Sequence, residues 1–464
     1  MKIINRHALA LLSAFVLTML SGAASATNGY FTHGVGTESK GMAGTGVGSN
    51  AAKGAIIGAS NPALAVFAED GWEVGLSLFS PMRSYEAGPS LAMGSGGAFT
   101  IGPGNFDSSS EWFPIPHIAK NFRLSGGSVI NFAFYGRGGM NTDWDDSNMS
   151  AWFDPTGQGG LGVEFPGTFG GGDAGVDLMQ AFVALNWAGK ASDNFSWGVG
   201  PVFAVQMFEA TGLASFTPYT KTFAESILGG GGPVPADSLT NNSHDTSTGF
   251  GFAGGIWWAM GNSFSAGLAY QSKMSMSEFK DYSDLFAEGG GFDIPATTKL
   301  GLSFEGANNV RLNLDIEHIE YGDVSSIANP MANLGACPTA GLGGMDLESC
   351  LGGSNGGGFG WEDMTIFKLG MEWYPNANTT YRFGYSYGEQ PIQEADVMFN
   401  ILAPGVMEQH FTFGMSRNRS DGGGWNLSLM YAPSNSVKGV SMFDPTQELE
   451  IEMSQFEIEF SYRW

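Results

Sequence analysis

Charged residues are scarce in this chain of 464 residues. Asp, Glu, Lys and Arg together make up 14% of the sequence, against about 25% in a typical globular domain. Positive charge is the scarcest, since 20 Lys and Arg stand against 45 Asp and Glu and give a formal net charge of −25. Nucleic acids are bound chiefly through clustered positive charge, so we expect no nucleic acid partner.

Long apolar runs are also missing. Beyond Ala26 the sequence has no apolar run of about 18 residues, so we expect no transmembrane helix. This absence leaves a membrane location open, because a closed barrel of strands also satisfies every backbone hydrogen bond in lipid.

Glycine and aromatic residues are abundant. The sequence holds 71 Gly, and Phe, Trp and Tyr supply 13% of it. A disordered chain would be poor in aromatics and rich in charge, so that class is excluded. The glycines do not recur at every third position, which excludes a collagen-like chain.

Residues 1–26 have the organisation of a secretory signal peptide. A basic start with Lys2 and Arg6 precedes an apolar stretch at 8–20, and small residues at 24–26 (ASA) form a cleavage site. A membrane anchor helix is the alternative, but the apolar stretch is shorter than the roughly 20 residues that a spanning helix requires. We therefore expect these residues to be removed on export.

The only two cysteines, Cys337 and Cys350, lie in one predicted loop. An exported chain meets an oxidising periplasm, which favours a disulfide between them over two free thiols. Closing a loop of this size would contribute roughly 3 kcal/mol to stability.

From Gly71 onward, apolar residues alternate with small or polar residues. The stretches 72–78 (WEVGLSL) and 456–464 (FEIEFSYRW) illustrate the pattern. Successive strand side chains point to opposite faces, so each such stretch predicts a strand with one apolar face. Fourteen strands are predicted, near residues 72–80, 114–121, 128–137, 177–188, 195–208, 249–260, 264–273, 296–305, 310–321, 364–374, 379–388, 408–416, 424–432 and 452–464.

Short polar turns and segments of about 20 to 40 residues alternate between the predicted strands, as is typical of outer-membrane barrels. A large soluble β-sandwich or propeller is the alternative, but its outer faces should be polar, whereas aromatic residues here cluster at strand ends. The sequence predicts an all-β fold, a 14-stranded antiparallel transmembrane β-barrel over residues 71–464, in the outer membrane of a Gram-negative cell. The final strand ends on Trp464, which resembles the signal read by the barrel assembly machinery.

Residues 27–70 precede the barrel and lack the alternation. Because they are rich in Gly and Ala, they predict a compact plug, or hatch, inside the lumen. Their motif Asn61-Pro62-Ala63, with the stretches 279–285 (FKDYSDL) and 381–392 (YRFGYSYGEQPI), resembles the FadL/TodX family of outer-membrane transporters. The resemblance extends over the whole mature chain.

The resemblance implies passive uptake of long-chain fatty acids or aromatic hydrocarbons. These compounds would bind an apolar groove between external loops, then an internal pocket at the mature N-terminus, and leave by hatch movement and a lateral gap in the wall. We therefore expect no enzymatic activity and no cofactor. A receptor or adhesin that uses the long acidic loops is the alternative. Expected partners are a hydrophobic small molecule, outer-membrane lipid and lipopolysaccharide, and we expect a monomer.

The resemblance also implies candidate ligand-binding residues. The loop groove would be formed by Leu213, Phe216, Phe223, Ile227, Leu228, Phe279, Tyr282, Leu285 and Phe286. Ordinary loop packing is the alternative for this set. Asn28, Tyr30 and Phe31 would contact ligand at the mature N-terminus, and a structural contact within the plug is the alternative for them. Asn61-Pro62-Ala63 would anchor the hatch, because proline fixes a turn.

Alternation places several cations on the lumen face, where a carboxylate ligand would require one. They are Lys273, Lys299, Arg311, Lys368 and Arg382. We expect most of them to pair with lumen acids such as Asp315 and Glu317, because an unpaired charge in an enclosed site is costly. The run 315–318 (DIEH) does not predict a metal site, because His318 falls on the face opposite both carboxylates. The strand map brings no nucleophile and base together, so no catalytic residue is assigned.

Overall fold

The computed structural model describes residues 27–156, 159–420 and 422–464, so the predicted signal peptide lies outside the described residues. Fourteen antiparallel strands form one closed barrel, as the alternation predicted. The barrel strands are β1 (Gly71–Ala87), β2 (Phe113–Arg123), β3 (Val129–Trp144), β4 (Ala174–Ser192), β5 (Phe195–Thr211), β6 (Asp245–Ala259), β7 (Phe264–Gln271), β8 (Thr297–Glu305), β9 (Val310–Ile319), β10 (Met364–Asn376), β11 (Thr379–Gly388), β12 (Gln409–Asn418), β13 (Gly424–Ser441) and β14 (Asp444–Arg463).

The sheet closes on itself because its first strand pairs with its last. β1 and β14 pair from Glu73, opposite Arg463, to Ala87, opposite Leu449. Each other barrel strand pairs with its neighbours in the chain, so the sheet has no free outer edge. Along β14 the outward-facing Phe460 is 50% exposed, whereas its inward-facing neighbours are buried. This is the arrangement that the period of two requires of a wall with lipid on one side.

Short elements lie in the loops and before the barrel. The helices are α1 (Thr37–Lys40), α2 (Lys221–Leu228), α3 (Ala287–Gly290) and α4 (Ser325–Ala328). Short 3₁₀ helices occur at Ala55–Ala59, Pro62–Val66, Ser95–Gly97, Ala214–Tyr219, Lys280–Tyr282, Tyr321–Asp323, Met331–Ala336, Leu347–Ser349, Glu394–Asp396 and Phe399–Ile401. Short loop strands occur at Phe99–Ile101, Gly104–Asp107, Ser150–Phe153, Val163–Pro166 and Ser275–Met276.

None of the helices in the described part of the chain combines the length and the apolar character that a membrane span requires.

One predicted long connection is wrong. β13 continues to Ser441 and β14 begins at Asp444, so a tight turn joins them in place of a loop over residues 433–451. The added length carries polar cross-strand pairs, such as Ser436 with Glu450 at 2.7 Å and Lys438 with the same carboxylate at 3.2 Å. Because polar residues dominate there, the apolar alternation ends before the strands do.

Residues 27–70, the N-terminal segment, pack against the inward face of the wall. Glycines on that face allow the approach, because a Cβ at Gly267 would lie 2.0 Å from the carbonyl oxygen of Val47. A Cβ at Gly198 would likewise lie 2.4 Å from the carbonyl carbon of Pro62. These contacts are with backbone atoms, which cannot turn aside as a flexible side chain can. Part of the glycine excess thus lets the segment lie directly on the wall.

We predict that Gly267→Val will loosen the N-terminal segment while the barrel still assembles. The added side chain overlaps backbone atoms, and such overpacking costs about 1–3 kcal/mol. Heat-modifiable gel migration should stay normal, and limited proteolysis should cut the segment faster than in the wild type. Gly254→Val is the matched control, because no atom lies within 4 Å of a Cβ there. Equal protection of the segment in both variants would contradict the prediction.

Candidate functional site

The Asn61-Pro62-Ala63 turn is fixed from several sides. The Asn61 side chain accepts a hydrogen bond from the Ala63 N–H at 3.0 Å and caps the 3₁₀ helix that begins at Pro62. Its amide nitrogen donates to the carbonyl oxygens of Val47 at 3.0 Å and Ile256 at 3.2 Å. The turn therefore joins two parts of the N-terminal segment to strand β6.

Helix α1 is held to the wall by charge. Glu38 lies 2.7 Å from Arg382 and 3.4 Å from Arg463, and Lys40 lies 2.7 Å from Glu459. All five residues are buried. Removal of one partner from such a pair leaves an uncompensated buried charge, so these contacts fix the segment strongly. We call this set the lower ionic layer, because Arg382 and Arg463 lie near the periplasmic strand ends.

A second set of charges centres on Glu317 of β9. Its carboxylate lies 2.6 Å from Lys368, 3.1 Å from Lys299 and 3.4 Å from Arg137. The expected pairing of lumen cations with lumen acids is met here and at Arg382. His318 lies on the opposite face of the strand, where it is partly exposed, as the alternation predicted.

Lys273 is not in the lumen, contrary to the expectation. β7 ends at Gln271, so the alternation no longer assigns a face to Lys273. Its side chain is 40% exposed and lies 3.3 Å from Asp293 in the external loops. Arg311 does face the N-terminal segment, but it sits at the periplasmic rim, 2.7 Å from Glu305.

The first described residues are buried in an aromatic cluster. The Tyr30 ring lies 5.3 Å from that of Tyr321 and 6.0 Å from that of Trp361, and Phe31 lies 5.9 Å from Tyr321. The Tyr321 hydroxyl donates to the carbonyl oxygen of Asn28 at 2.5 Å. The side-chain amide of Asn28 is buried with no hydrogen-bond partner among the described residues. The predicted residues Tyr30 and Phe31 therefore pack against the loop between β9 and β10, which carries Tyr321 and Trp361.

The wall is interrupted between β2 and β3. Pairing between these strands runs from Arg123 opposite Val129 up to His117 opposite Tyr135, and it stops there although both strands continue. A bulge at Arg137 then shifts the register of β3 against β4.

The interruption has an upper boundary. The Ser108 N–H donates to the carbonyl oxygen of Arg83 on β1, and the Ser109 N–H donates to that of Asp143 on β3, both at 2.9 Å. We call the break between these ties and the pair His117 and Tyr135 the wall gap. Proline has no N–H to donate, so Pro114 and Pro116 suit the unpaired part of β2.

The N-terminal segment covers the free edge of β3 from inside. The Thr32 N–H donates to the Arg137 carbonyl oxygen at 2.7 Å, and the Gly139 N–H donates to the Tyr30 carbonyl oxygen at 3.0 Å. The guanidinium of Arg137 also lies 4.3 Å from the centre of the Phe31 ring. These bonds supply partners that β2 would otherwise provide, so the first described residues complete the wall at the gap.

An apolar cavity lies among the external loops. It encloses about 540 Å³ of space free of atoms, its open mouth included. Leu213, Phe216, Leu285 and Phe286 of the predicted groove line it. The sequence reasoning missed the other apolar lining residues, namely Val176, Phe208, Leu239, Leu351, Phe359, Phe399 and Leu402. They come from two strand ends, from the later part of the loop at 212–244 and from two further loops, which no local pattern connects. We call this space the loop cavity.

The remaining predicted groove residues do not line the loop cavity. Phe279 and Tyr282 are buried behind it, with their rings 5.7 Å and 4.9 Å from that of Phe208. In helix α2, Ile227 and Leu228 are 37% and 54% exposed.

Phe223 of helix α2 is half-buried, and it does not line the loop cavity either. Ala224 of this helix packs instead against the disulfide between Cys337 and Cys350. The phase of a short loop helix is fixed by such tertiary contacts, so its inward residues do not follow from composition.

A family model for outer membrane protein transport proteins (OMPP1/FadL/TodX) matches residues 17–415. The chain belongs to this family. Its members are outer-membrane transporters of hydrophobic compounds, and the protein is accordingly an outer-membrane β-barrel.

Solved structures of FadL-like proteins share the fold. The Pseudomonas putida toluene transporter TodX aligns with a TM-score of 0.59 and 16% identity, over 93% of this chain and 98% of that one. A Pseudomonas aeruginosa FadL homologue gives 0.59 and 14%, over 94% and 99%. The Ralstonia pickettii toluene transporter TbuX gives 0.53 and 15%, over 93% and 98%. A search of the curated proteins finds no match.

His244 joins two strand ends beside the loop cavity. Its Nε2 lies 2.9 Å from Asp177 on β4, and its Nδ1 lies 2.9 Å from Glu209 on β5. The neighbouring Val176 and Phe208 line the cavity. The hydrogen bond with Asp177 raises the pKa of His244 above its ordinary value, and the two carboxylate charges add to this shift.

We predict that the loop at 212–244 will loosen as the pH rises. Because the pKa of His244 is raised, its contacts with Asp177 and Glu209 stabilise the fold fully below about pH 6.5, the ordinary histidine pKa. This stabilisation is lost as the pH rises through the higher pKa of the folded state. Hydrogen exchange of this loop, corrected for intrinsic rates, should be faster at pH 8 than at pH 6. His244→Gln should abolish that difference and His318→Gln should retain it. A difference that persists in His244→Gln would contradict the role of His244 in holding this loop.

Proposed function

We propose that this FadL/TodX family member takes up hydrophobic compounds passively, through the loop cavity, the aromatic cluster around Tyr30 and the wall gap. The observation that carries the proposal is the pairing of Tyr30 and Thr32 with the free edge of β3. The same few residues thereby contact the internal aromatic cluster and close the gap. A ligand that displaces them would open the wall at the point where it is bound.

The binding energy for such a route would come from removal of apolar surface from water. Each methylene group buried is worth about 0.8 kcal/mol. The loop cavity offers mainly hydrocarbon side chains, and its partly predicted lining supports the groove that the resemblance implies. Long-chain fatty acids and aromatic hydrocarbons both suit these walls.

A straight descent to the periplasm is the less favourable path. Below the aromatic cluster a ligand would meet the charges around Glu317 and then the lower ionic layer. A hydrophobic molecule cannot replace the ion-pair partners that these charged groups would lose. We therefore infer lateral release through the wall gap, with residues 27–70 as the hatch and Asn61-Pro62-Ala63 as its anchor.

We infer the remaining partners from position. The outward apolar residues would contact outer-membrane lipid, and the external loops would contact lipopolysaccharide. Trp464, whose backbone pairs with Trp72 at 3.0 Å, would be read by the barrel assembly machinery. The wall closes without a second copy, which supports a monomer.

Uptake measurements test the proposal. Proteoliposomes with the wild-type protein should take up labelled oleate or labelled toluene faster than protein-free vesicles. Gly136→Trp should remove most of this uptake, because a Cβ at Gly136 already lies 2.7 Å from Ile115 across the gap. Gly254→Trp is the matched control, on an open outer surface of the wall.

Two outcomes would count against the proposal. No uptake by the wild type would reject transport and favour the receptor or adhesin alternative. Equal uptake by Gly136→Trp and Gly254→Trp would reject the wall gap as the exit while leaving transport in place.

A further inference from the structure

A buried histidine lies at the lower end of the wall gap. His117 on β2 is opposite Tyr135 on β3 in the last pair that joins these strands, and the residue is 6% exposed. Its ring lies against β1 over Gly75, where a Cβ would be 2.1 Å from the Cε1 atom of the ring. The side chain of His117 therefore connects β2 to β1 at the point where the ladder between β2 and β3 ends.

Each nitrogen of the His117 ring faces a carboxylate. Nδ1 lies 3.4 Å from Glu459 on β14, and Nε2 lies 3.8 Å from Glu73 on β1. Nε2 is buried and has no hydrogen-bond partner among the described residues. A neutral imidazole carries a single N–H, so it can donate to one of these carboxylates at most, whereas the protonated ring can donate to both.

The same two carboxylates hold the N-terminal segment. Glu459 accepts a hydrogen bond from the Thr37 hydroxyl at 2.7 Å and lies 2.7 Å from Lys40, and both of these residues belong to helix α1. Glu73 accepts a hydrogen bond from the Ile56 N–H at 3.1 Å. The histidine thus shares both of its partners with the segment that covers the wall gap from inside.

Negative charge is in excess around this ring. Glu73, Glu457 and Glu459 are all buried. Among the described residues, Lys40 is the only Lys or Arg with a nitrogen within 4 Å of any of the three. A carboxylate buried without positive charge is costly, so a proton on His117 would offset part of the excess.

A second imidazole near these carboxylates is less suited to carry the proton. His33 lies 3.4 Å from Glu457 through Nδ1. The ammonium group of Lys40 contacts the same carboxylate, and that of Lys368 donates to the carbonyl oxygen of His33 at 2.7 Å. Two positive charges beside His33 disfavour a third. The arrangement therefore favours His117 as the group whose protonation changes the charge of the set.

We propose that His117 is a positioning residue that couples the N-terminal segment to the lower end of the wall gap, and that it holds the segment most firmly while its ring is protonated. When the proton leaves at higher pH, Glu73 and Glu459 lose a shared cation, and the remaining excess of buried negative charge destabilises their contacts. The segment and the unpaired part of β2 then loosen together. Only the consequence for uptake rests on the proposed function.

Several elements surround the ring, and the charge on each of them enters the pH dependence. The titratable groups that face the ring are Glu73 of β1, Tyr135 of β3, Glu457 and Glu459 of β14, and Lys40 of α1.

Hydrogen exchange of residues 27–70 tests the coupling. After correction for intrinsic rates, this segment of the wild type should exchange about tenfold faster at pH 8 than at pH 5.5, the ratio expected when one hydrogen bond to a charged group is lost. His117→Gln cannot be protonated and should exchange fast at both pH values. His117→Lys is charged at both pH values and should exchange slowly at both. Fast exchange of His117→Lys would count against charge as the cause.

Two other histidine variants serve as controls. His318→Gln removes an outward-facing histidine that lies 3.8 Å from Asp363, and His33→Gln removes the second imidazole near the carboxylates. Both should keep the tenfold difference of the wild type. A difference that is retained in His117→Gln or lost in either control would overturn the proposal. Equal exchange of the wild type at the two pH values would overturn it as well.

Glu73→Gln decides the matter if neither His117 variant assembles into a barrel. This variant keeps the histidine and removes the carboxylate that faces Nε2. The ratio of exchange rates between pH 8 and pH 5.5 should then fall below that of the wild type, because the charged ring has lost one of its two partners. An unchanged ratio would reject the proposal.

Toluene uptake separates this inference from the proposed function. Toluene has no charge that changes with pH, and a His244→Gln background removes the other pH-sensitive contact. In that background, uptake into proteoliposomes should be faster at pH 8 than at pH 5.5, and the addition of His117→Gln should remove the difference. Uptake that does not depend on pH would overturn the link to the wall gap. Wild-type vesicles that take up no toluene at either pH would reject the proposed function, while the exchange measurements would still decide the coupling.

Discussion

In hydrocarbon, every backbone N–H and C=O of the wall needs a partner, and this constraint governs the rest of the structure. Closure between β1 and β14 meets it at the ends of the sheet. Between β2 and β3 the ladder stops, and the constraint passes to other groups. Tyr30 and Thr32 supply backbone partners to β3 from inside. The position of the N-terminal residues is therefore tied to the integrity of the wall.

The lumen holds the N-terminal segment by two different means. Where the wall carries glycine, as at Gly198 and Gly267, backbone lies on backbone with no side chain between. Where the wall carries charge, as at Arg382 and Glu459, α1 is tied by buried ion pairs. The contacts at glycine allow the segment to lie close to the wall, and the ion pairs fix its orientation. Together they restrict the N-terminal segment to one position in the lumen. The scarcity of charge in the sequence thus reflects its restriction to the lumen, the turns and the loops.

Period-two alternation was enough to predict the strands and their number, because lipid imposes one apolar face on every strand. It failed where lipid does not reach: polar pairs such as Ser436 with Glu450 extend β13 and β14 beyond the apolar band, and Lys273 lies past the end of β7. Pro114 and Pro116 were a local signal of an unpaired strand edge, but sequence could not tell which neighbour would be missing. The lining of the loop cavity depends on contacts between distant loops, and Ile227 and Leu228 turn outward because the disulfide region fixes the phase of α2.

Polarity changes with depth inside the barrel, and this ordering gives the proposed route its direction. The loop cavity is almost wholly apolar. At the periplasmic end, between Lys53, Tyr374 and Arg382, a wider space of about 690 Å³ is lined by polar and charged groups. The free energy of a hydrophobic molecule would rise if it moved from the loop cavity to this polar space. On the proposed route the wall gap leads instead to lipid, which is apolar and imposes no such cost.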